Sequence, residues 1–142
     1  MKNFFFISYC AVFFCSCGTI GHVQFYSFSE PKLEIENKLH NIIDSSYSVP
    51  GKWANIYQES GPLELIYVYF QRDPEEVYQI GFTGEQKDWE SSSNCKLSLD
   101  GVFNGRNWTF RKDLSSSDMS RIRERFEKEI LSKIKIQYFK GD

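Results

Sequence analysis

The chain has 142 residues, of which 41% are hydrophobic and 17% aromatic, and it carries 17 basic and 19 acidic side chains. This length and composition fit one globular domain with a core of ordinary size. The near-balanced charge and the lack of a basic run argue against a nucleic-acid-binding protein.

Residues 1–16 have the parts of a secretory signal peptide. Lys2 is the only charge, and residues 4–14 form an apolar stretch of eleven residues, within the length usual for such signals. A membrane-spanning helix needs about 20 apolar residues, but polar residues begin at Ser16. The segment is therefore predicted to direct export and then to be removed.

The end of this segment, Phe14-Cys15-Ser16-Cys17, resembles the lipobox of bacterial lipoproteins. The resemblance implies that Cys17 becomes the first residue of the mature chain and carries a thioether-linked diacylglycerol, often with a third acyl chain. A single acyl chain binds membranes only marginally, whereas two or three make a lasting anchor. Lipoproteins kept in the inner membrane often carry Asp at the next position, so Gly18 favours the outer membrane.

These features predict a signal peptide at residues 1–16, a lipidated cysteine with a short tether at 17–22, and a single α+β domain at 23–142. The alternative is an ordinary secretory signal cut near Cys17, which would leave a soluble secreted protein without lipid. A short first strand is expected at residues 23–28, because apolar residues follow the tether at once.

Three further elements are predicted in the first two-thirds of the chain. Residues 30–45 form a helix, because Ser29 can cap its amino end and apolar residues recur at helical spacing. Residues 63–70 are apolar or aromatic at nearly every position, which predicts a central strand buried on both faces. Residues 77–83 return from it in a hairpin, and residues 53–58 are a weaker candidate for a strand.

A second hairpin is indicated by Asn104-Gly105, the preferred pair for a two-residue type I′ turn. This turn would place Trp108 opposite Gly101, on the same face as Leu97 and Leu99. The tryptophan ring would then cover the gap left by the missing glycine side chain. Asp100-Gly101 offers a rival turn, so the register stays open.

The last helix has the clearest pattern in the sequence. Ser115 and Asp118 match a capping box, and the apolar residues that follow are spaced to line one helical face. These residues are Met119, Ile122, Phe126 and Ile130. Residues 134–138 then alternate apolar and polar side chains, as in a half-buried edge strand.

The residue patterns of common catalytic and metal sites are missing. The chain has no Cys or His pair at metal-ligand spacing, no phosphate-binding loop and no nucleophile elbow. Cys95 lies in phase with Leu97 and Leu99, so it is expected to be a small buried hydrophobic residue. The sequence therefore predicts no cofactor and no metal site.

One aromatic residue stands apart from the predicted core. Trp89 lies in a polar stretch, residues 84–94, that is expected to be a loop, and its neighbours are charged residues and serines. Exposed aromatic side chains often anchor a protein partner. Trp89 is therefore the candidate residue for partner binding, while the other aromatic residues are expected to fill the core.

Charge is unevenly distributed along the chain. Residues 17–95 hold 5 basic and 12 acidic residues, whereas residues 96–142 hold 11 basic and 7 acidic ones. If the two parts stayed separate in the fold, they would give a bipolar surface that steers a charged partner. We expect instead that the halves interleave and that their charges largely cancel.

The predicted fold is α+β, with an antiparallel sheet of four to six strands. The N-terminal helix and the long C-terminal helix are predicted to pack on one face of this sheet. Such a domain, attached to a membrane and without a recognisable catalytic pattern, is typical of an accessory or binding protein.

The favoured function is therefore that of a membrane-anchored envelope lipoprotein, a non-catalytic accessory or binding protein that meets another protein or an envelope polymer. An immunity-type or inhibitor lipoprotein, whose acidic half would meet a basic toxin, is one concrete form. The alternative is a small envelope hydrolase working through carboxylates. It requires a cleft with two acidic groups and a raised pKa in at least one of them.

Overall fold

The computed structural model describes residues 21–57 and 64–141. Cys17 and the rest of the predicted export segment lie outside these residues. The described residues form a six-stranded antiparallel sheet together with helices, which confirms the predicted α+β class and the kind of sheet. The strands are β1 (Gln24–Phe28), β2 (Leu65–Phe70), β3 (Glu76–Thr83), β4 (Cys95–Phe103), β5 (Trp108–Phe110) and β6 (Tyr138–Gly141).

The helices are α1 (Lys32–Ser46), α2 (Gln86–Ser91), α3 (Ser116–Phe126) and α4 (Ser132–Ile134). A π-helical segment, Glu127–Leu131, joins α3 directly to α4, and we call this continuous run the C-terminal helix. Two short 3₁₀ segments, Gly51–Ile56 and Arg111–Asp113, complete the described elements. Within the described ranges, none of the helices has the length and hydrophobicity needed to cross a membrane.

The strand order in the sheet is β2-β3-β4-β1-β6, and β5 pairs with β4 beyond this path. The first strand lies between β4 and β6, so the residues after the predicted tether are part of the sheet, as expected. The last strand forms an edge but begins at Tyr138, because the helix before it continues to Ile134. The helix ends at Lys135, whose φ of 57° is left-handed.

One large hydrophobic cluster contains buried side chains of the first four strands and of both long helices. Along β1 the buried positions alternate with half-exposed ones, as expected for a strand with one face in the core. Each large apolar side chain buried in this way contributes about 1.5–3 kcal/mol. The largest fully buried side chains are Tyr26, Phe28, Ile35, Leu39, Phe70, Tyr78, Ile80, Leu97, Leu99, Ile122, Phe126 and Ile130.

A second, smaller cluster lies on the other face of the sheet and includes Tyr67 and Tyr69 of β2 and Val77 of β3. The strand predicted at residues 53–58 is wrong, since Gly51–Ile56 forms a 3₁₀ helix whose Trp53 and Ile56 pack in this cluster. β2 is an edge strand rather than a central one. That prediction failed because this edge strand packs side chains from both of its faces. The second cluster also includes Val49, Phe103 and Trp108.

Helix α1 occupies nearly the predicted residues. It begins at Lys32, with Pro31 rather than Ser29 at the cap position, and ends at Ser46. Pro is tolerated at this place because the first amides of a helix have no intrahelical partner.

Helix α2 lies within the stretch that was expected to be a loop. Glu85 and Asp88 form a capping box at its start, without the Ser or Thr that usually identifies such a start in a sequence. The start of α3 is as predicted, because Ser115 Oγ accepts a hydrogen bond of 3.1 Å from the backbone N–H of Asp118.

A β-bulge reverses the alternation of side chains along β4. Gln79 pairs with Gly101 and Ile80 pairs with Leu99, so Asp100 is the additional residue. Before the bulge, Cys95, Leu97 and Leu99 therefore belong to the large cluster, whereas Phe103 after the bulge belongs to the second cluster. The prediction that Trp108 shares a face with Leu97 and Leu99 is therefore wrong, because the leucines pack in the large cluster and Trp108 packs against the second one.

The predicted register of the β4–β5 hairpin is wrong by two residues. Trp108 pairs with Phe103 rather than with Gly101, because the connection has four residues, 104–107, instead of two. Phe110 lies opposite Gly101 and fills the space that was assigned to the tryptophan ring.

A methyl group at position 101 should destabilise the fold, because a Cβ on Gly101 would lie 2.7 Å from Phe110 Cδ1. We expect Gly101→Ala to lower the free energy of unfolding by about 1–3 kcal/mol, as measured by urea denaturation. Gly51→Ala is the matched control, since no atom lies within 4 Å of a Cβ there. The control should change stability by less than about 0.5 kcal/mol, and equal stability of the two variants would contradict this packing.

Candidate functional site

A buried carboxylate lies at the start of β3. The Glu76 side chain is 5% exposed, and Arg121 of α3 donates two parallel hydrogen bonds to it, both of 2.8 Å. The hydroxyl of Tyr78 donates a third bond of 3.1 Å. Burial, reinforced by the charge of Glu76, raises the pKa of Tyr78 far above its ordinary value, so this hydroxyl remains a donor. A buried charge is costly unless it is paired and hydrogen-bonded, and these contacts meet that requirement.

A second arginine of α3 fixes the turn between β2 and β3. The Arg125 side chain is 10% exposed, and its guanidinium donates to the carbonyls of Pro74 at 2.6 Å and Arg72 at 2.9 Å. It also lies 3.4 Å from a Glu76 oxygen and 4.7 Å from the centre of the Phe70 ring. The turn is therefore attached to the C-terminal helix through both backbone and side-chain contacts.

Two adjoining cavities lie beside these arginines, and we call them together the basic cleft. Their volumes are about 480 and 620 Å³, and both are lined by Arg72, Lys128 and Glu129. Pockets that bind small ligands have volumes of this order. The charged lining residues are Arg72, Arg121, Arg125, Lys128 and Lys133, with Asp73, Glu124 and Glu129.

Two cations of the basic cleft have side chains without a partner among the described residues. Arg72 and Lys128 are exposed, and within the described ranges neither side chain makes a hydrogen bond or an ion pair. By contrast, Arg121 and Arg125 are bound to Glu76. Asp73 and Glu124 are exposed carboxylates of the same cleft. The positive charge that the cleft can offer to an anion therefore comes from Arg72, Lys128 and the exposed Lys133, three cations against two carboxylates.

A tyrosine and a lysine form the far wall of the basic cleft. Lys133 Nζ donates a 2.7 Å hydrogen bond to the Tyr47 hydroxyl, and this hydroxyl lies 3.5 Å from a Glu129 oxygen. Glu129 also accepts a 3.1 Å bond from Arg125 Nε. The wall is thus connected to the turn-fixing arginine by a continuous chain of polar contacts.

Trp89, the candidate residue for partner binding, lies on α2 and is half-buried. Its indole N–H donates a 3.1 Å hydrogen bond to the carbonyl of Thr83, and the Lys32 ammonium lies 4.4 Å from the centre of its ring. It also lines a cavity of about 350 Å³ beside Cys95 and the exposed Phe139. Its role in binding stays a prediction.

A nearly buried lysine supports this tryptophan. Lys32 donates hydrogen bonds of 2.9 Å to Glu64 and 3.2 Å to Glu36. Burial by itself would lower the pKa of Lys32, but the hydrogen bonds to the two carboxylates raise it above its usual value. Lys32 therefore keeps its charge beside the Trp89 ring, a contact that sequence patterns did not indicate because the partners are distant in the chain.

Cys95 is buried and free, as expected for a small hydrophobic residue. Burial raises the pKa of its thiol to about 11. The reactive form of cysteine is the thiolate, so little of the nucleophilic form exists at neutral pH.

Two carboxyl groups of the domain, Glu64 and Glu75, have pKa values shifted downward. The hydrogen bond from Lys32 lowers the pKa of Glu64, and hydrogen bonds from Lys52 and Tyr69 lower that of Glu75. An acid catalyst in a carboxylate hydrolase requires the opposite shift. In the part of the chain that the structure describes, no group of three His, Cys, Asp or Glu side chains could hold a metal ion.

The chain was also compared with models of known protein families, with curated proteins and with solved structures. None of the three comparisons gives a match. The basic cleft and the lipobox-like sequence are therefore the features from which a function can be inferred.

Removing the buried carboxylate should destabilise the domain, because it leaves Arg121 without its counter-charge and leaves Arg125 paired with Glu129 alone. We expect Glu76→Gln to lower the free energy of unfolding by about 3 kcal/mol, as measured by urea denaturation. Glu34→Gln is the control, since Glu34 pairs with Lys38 across an exposed turn of α1. The control should cost less than about 1 kcal/mol. A similar loss in both variants would mean that the buried pair has no special role.

Proposed function

We propose that this chain is a lipid-anchored, non-catalytic binding protein of the cell envelope, held at the outer membrane through Cys17. The export segment and the lipobox-like sequence support the anchor. β1 begins at Gln24, seven residues after Cys17, and an extended chain of that length reaches at most about 25 Å. The domain would therefore stay close to the bilayer.

The pair of unpartnered cations in the basic cleft carries the binding role. Arg72 and Lys128 are exposed, while Arg125 already fixes the neighbouring turn. A site whose walls are ordered before binding loses less conformational entropy when a partner arrives. Together with Lys133, these exposed cations outnumber the exposed carboxylates of the cleft, Asp73 and Glu124, so we assign to it an anionic partner rather than a cationic one.

A protein with an acidic segment is the partner that fits these residues best. Arg and Tyr supply much of the binding energy in protein interfaces, and the cleft presents Arg72 together with Tyr47. Complementary charge also increases the rate at which two proteins associate. An anionic envelope polymer is the competing partner, and the experiment below separates the two.

An immunity-type or inhibitor lipoprotein, which acts by binding another protein, is one concrete form of this role. In the sequence-based version of that hypothesis, an acidic half meets a basic partner. Ion pairs that join the two halves, such as Arg121 with Glu76, reduce the charge available for such a contact. The cleft favours an acidic partner instead, and Trp89 stays the candidate for a further contact.

The proposal includes the placement of the two long helices on one face of the sheet. Leu39 of α1 and Phe126 of the C-terminal helix belong to the same cluster as Val68 and Leu97 of the sheet. This shared membership supports a common packing face. The basic cleft would then lie at the rim of that helical layer, beside the turn that Arg125 holds.

Lipid attachment is tested by labelling cells with radioactive palmitate. We expect label in the wild-type protein and in Cys15→Ala, because only Cys17 is the proposed acceptor. Cys17→Ala should lose the label completely. Label that persists in Cys17→Ala, or that never enters the wild type, would favour a soluble secreted protein without lipid.

Partner binding is tested by crosslinking in the native envelope, followed by identification of the crosslinked species. In the double variant Arg72→Glu/Lys128→Glu, the yield of the specific crosslinked protein should fall at least ten-fold, because both unpartnered cations of the cleft are replaced by acidic residues. The control Lys87→Glu/Arg106→Glu changes charge equally on exposed residues outside the cleft, and it should keep the partner.

Three results would count against this binding role. The first is a partner that stays bound to the cleft variant, and the second is the absence of any specific species above an unrelated lipoprotein. The third is a crosslinked partner that survives protease digestion of the protein attached to it, which would identify the partner as an envelope polymer rather than a protein.

A further inference from the structure

A small cavity lies where the described chain begins, between the start of β1 and the end of β6. Its volume is about 160 Å³, and its lining includes His22, Gln24, Arg111, Arg123 and Gly141. We call it the N-terminal pocket. Pockets for drug-sized ligands start at about 300 Å³, so this one suits a small ionic group.

Among the described residues, the two arginines of the N-terminal pocket have only neutral acceptors. Arg123 is half-buried and donates to Gln24 Oε1 at 3.2 Å and to Ser120 Oγ at 3.1 Å. Arg111 donates to the backbone carbonyl of His22 at 3.2 Å. Within the described ranges, neither guanidinium forms an ion pair, and each has five N–H donors. Two neighbouring cations without a counter-charge repel each other, so the pocket favours an anion.

The other polar groups of the pocket hold the arginines in place. Gln24 Nε2 donates to the carbonyls of Gly141 and Phe25, which leaves its Oε1 to accept from Arg123. His22 Nδ1 lies 2.5 Å from Asp100 Oδ1. A carboxylate accepts only, so Nδ1 is the donor in this hydrogen bond.

We propose that the N-terminal pocket binds a phosphate group, such as that in the headgroup of a membrane lipid. Arginine pairs with phosphate through parallel hydrogen bonds, and Arg111 and Arg123 both retain unused donors. The lipid source rests on the proposed anchor at Cys17. His22 is five residues from Cys17, so an extended tether places the pocket at most about 18 Å from the anchored residue.

The test uses the full chain, purified with its lipid in a maltoside detergent and titrated by calorimetry. The probes are inorganic phosphate and dihexanoyl-phosphatidylglycerol, a water-soluble lipid that carries one phosphodiester. Arg123→Gln and Arg111→Gln should each weaken binding of the preferred probe at least ten-fold. Arg111 is exposed, so its variant keeps the test valid if the other one unfolds. Lys87→Gln on α2 should bind like the wild type.

A carboxylate within the chain can compete for this pocket, because Asp142 follows Gly141 in the sequence. The titrations are therefore repeated with Asp142→Asn. Tighter binding of the phosphodiester than of inorganic phosphate would assign the site to a lipid headgroup, and equal affinity would assign it to free phosphate. No binding of either probe to the wild type and to Asp142→Asn, or unchanged affinity in both arginine variants, would overturn the proposal.

The outcome is independent of the basic cleft. Arg72→Glu/Lys128→Glu leaves the N-terminal pocket intact, so it should bind both probes with wild-type affinity. A failure of the cleft to bind its protein partner is measured separately, by crosslinking.

Discussion

The buried carboxylate of Glu76 is the constraint on which much of this structure depends. A charge that is 5% exposed at the start of a strand needs cations within hydrogen-bonding distance, and Arg121 and Arg125 supply them from the C-terminal helix. The same two residues fix how that helix lies against β3 and the preceding turn. A strand end, a turn and a helix that are far apart in sequence are thereby joined by one group of charges.

This group of charges also explains why the basic cleft is open to a ligand. Arg125 donates hydrogen bonds to Glu76, Glu129 and the carbonyls of the turn. It therefore orders the walls of the cleft, and its donors are not available to a ligand. Arg72 and Lys128 are exposed cations of the cleft that make no ion pair or side-chain hydrogen bond within the described ranges. Arg121 and Arg125 thus stabilise the fold, while the neighbouring Arg72 and Lys128 are available for binding. The arginine contacts order the turn that carries Arg72 before a partner binds.

The parts of the fold that could be predicted are those that depend on local sequence. The cap at Ser115 and the apolar face of the helix after it follow from short-range hydrogen bonding and helical spacing. The bulge at Asp100 could not be predicted, because an additional residue in a strand shows only in the pairing with its neighbour. The pairing of Glu76 with Arg121 spans 45 residues, and the basic cleft depends on that long-range contact.

The coupling between Glu76 and Arg121 is the most direct test of this account. Glu76→Gln, Arg121→Gln and the double variant would be compared with the wild type by urea denaturation, in a double-mutant cycle. If the buried pair joins the helix to the sheet, the interaction free energy should be about 1.5–3 kcal/mol, at the upper end of values for contacting residues. Additive effects, with an interaction free energy below about 0.5 kcal/mol, would contradict the account.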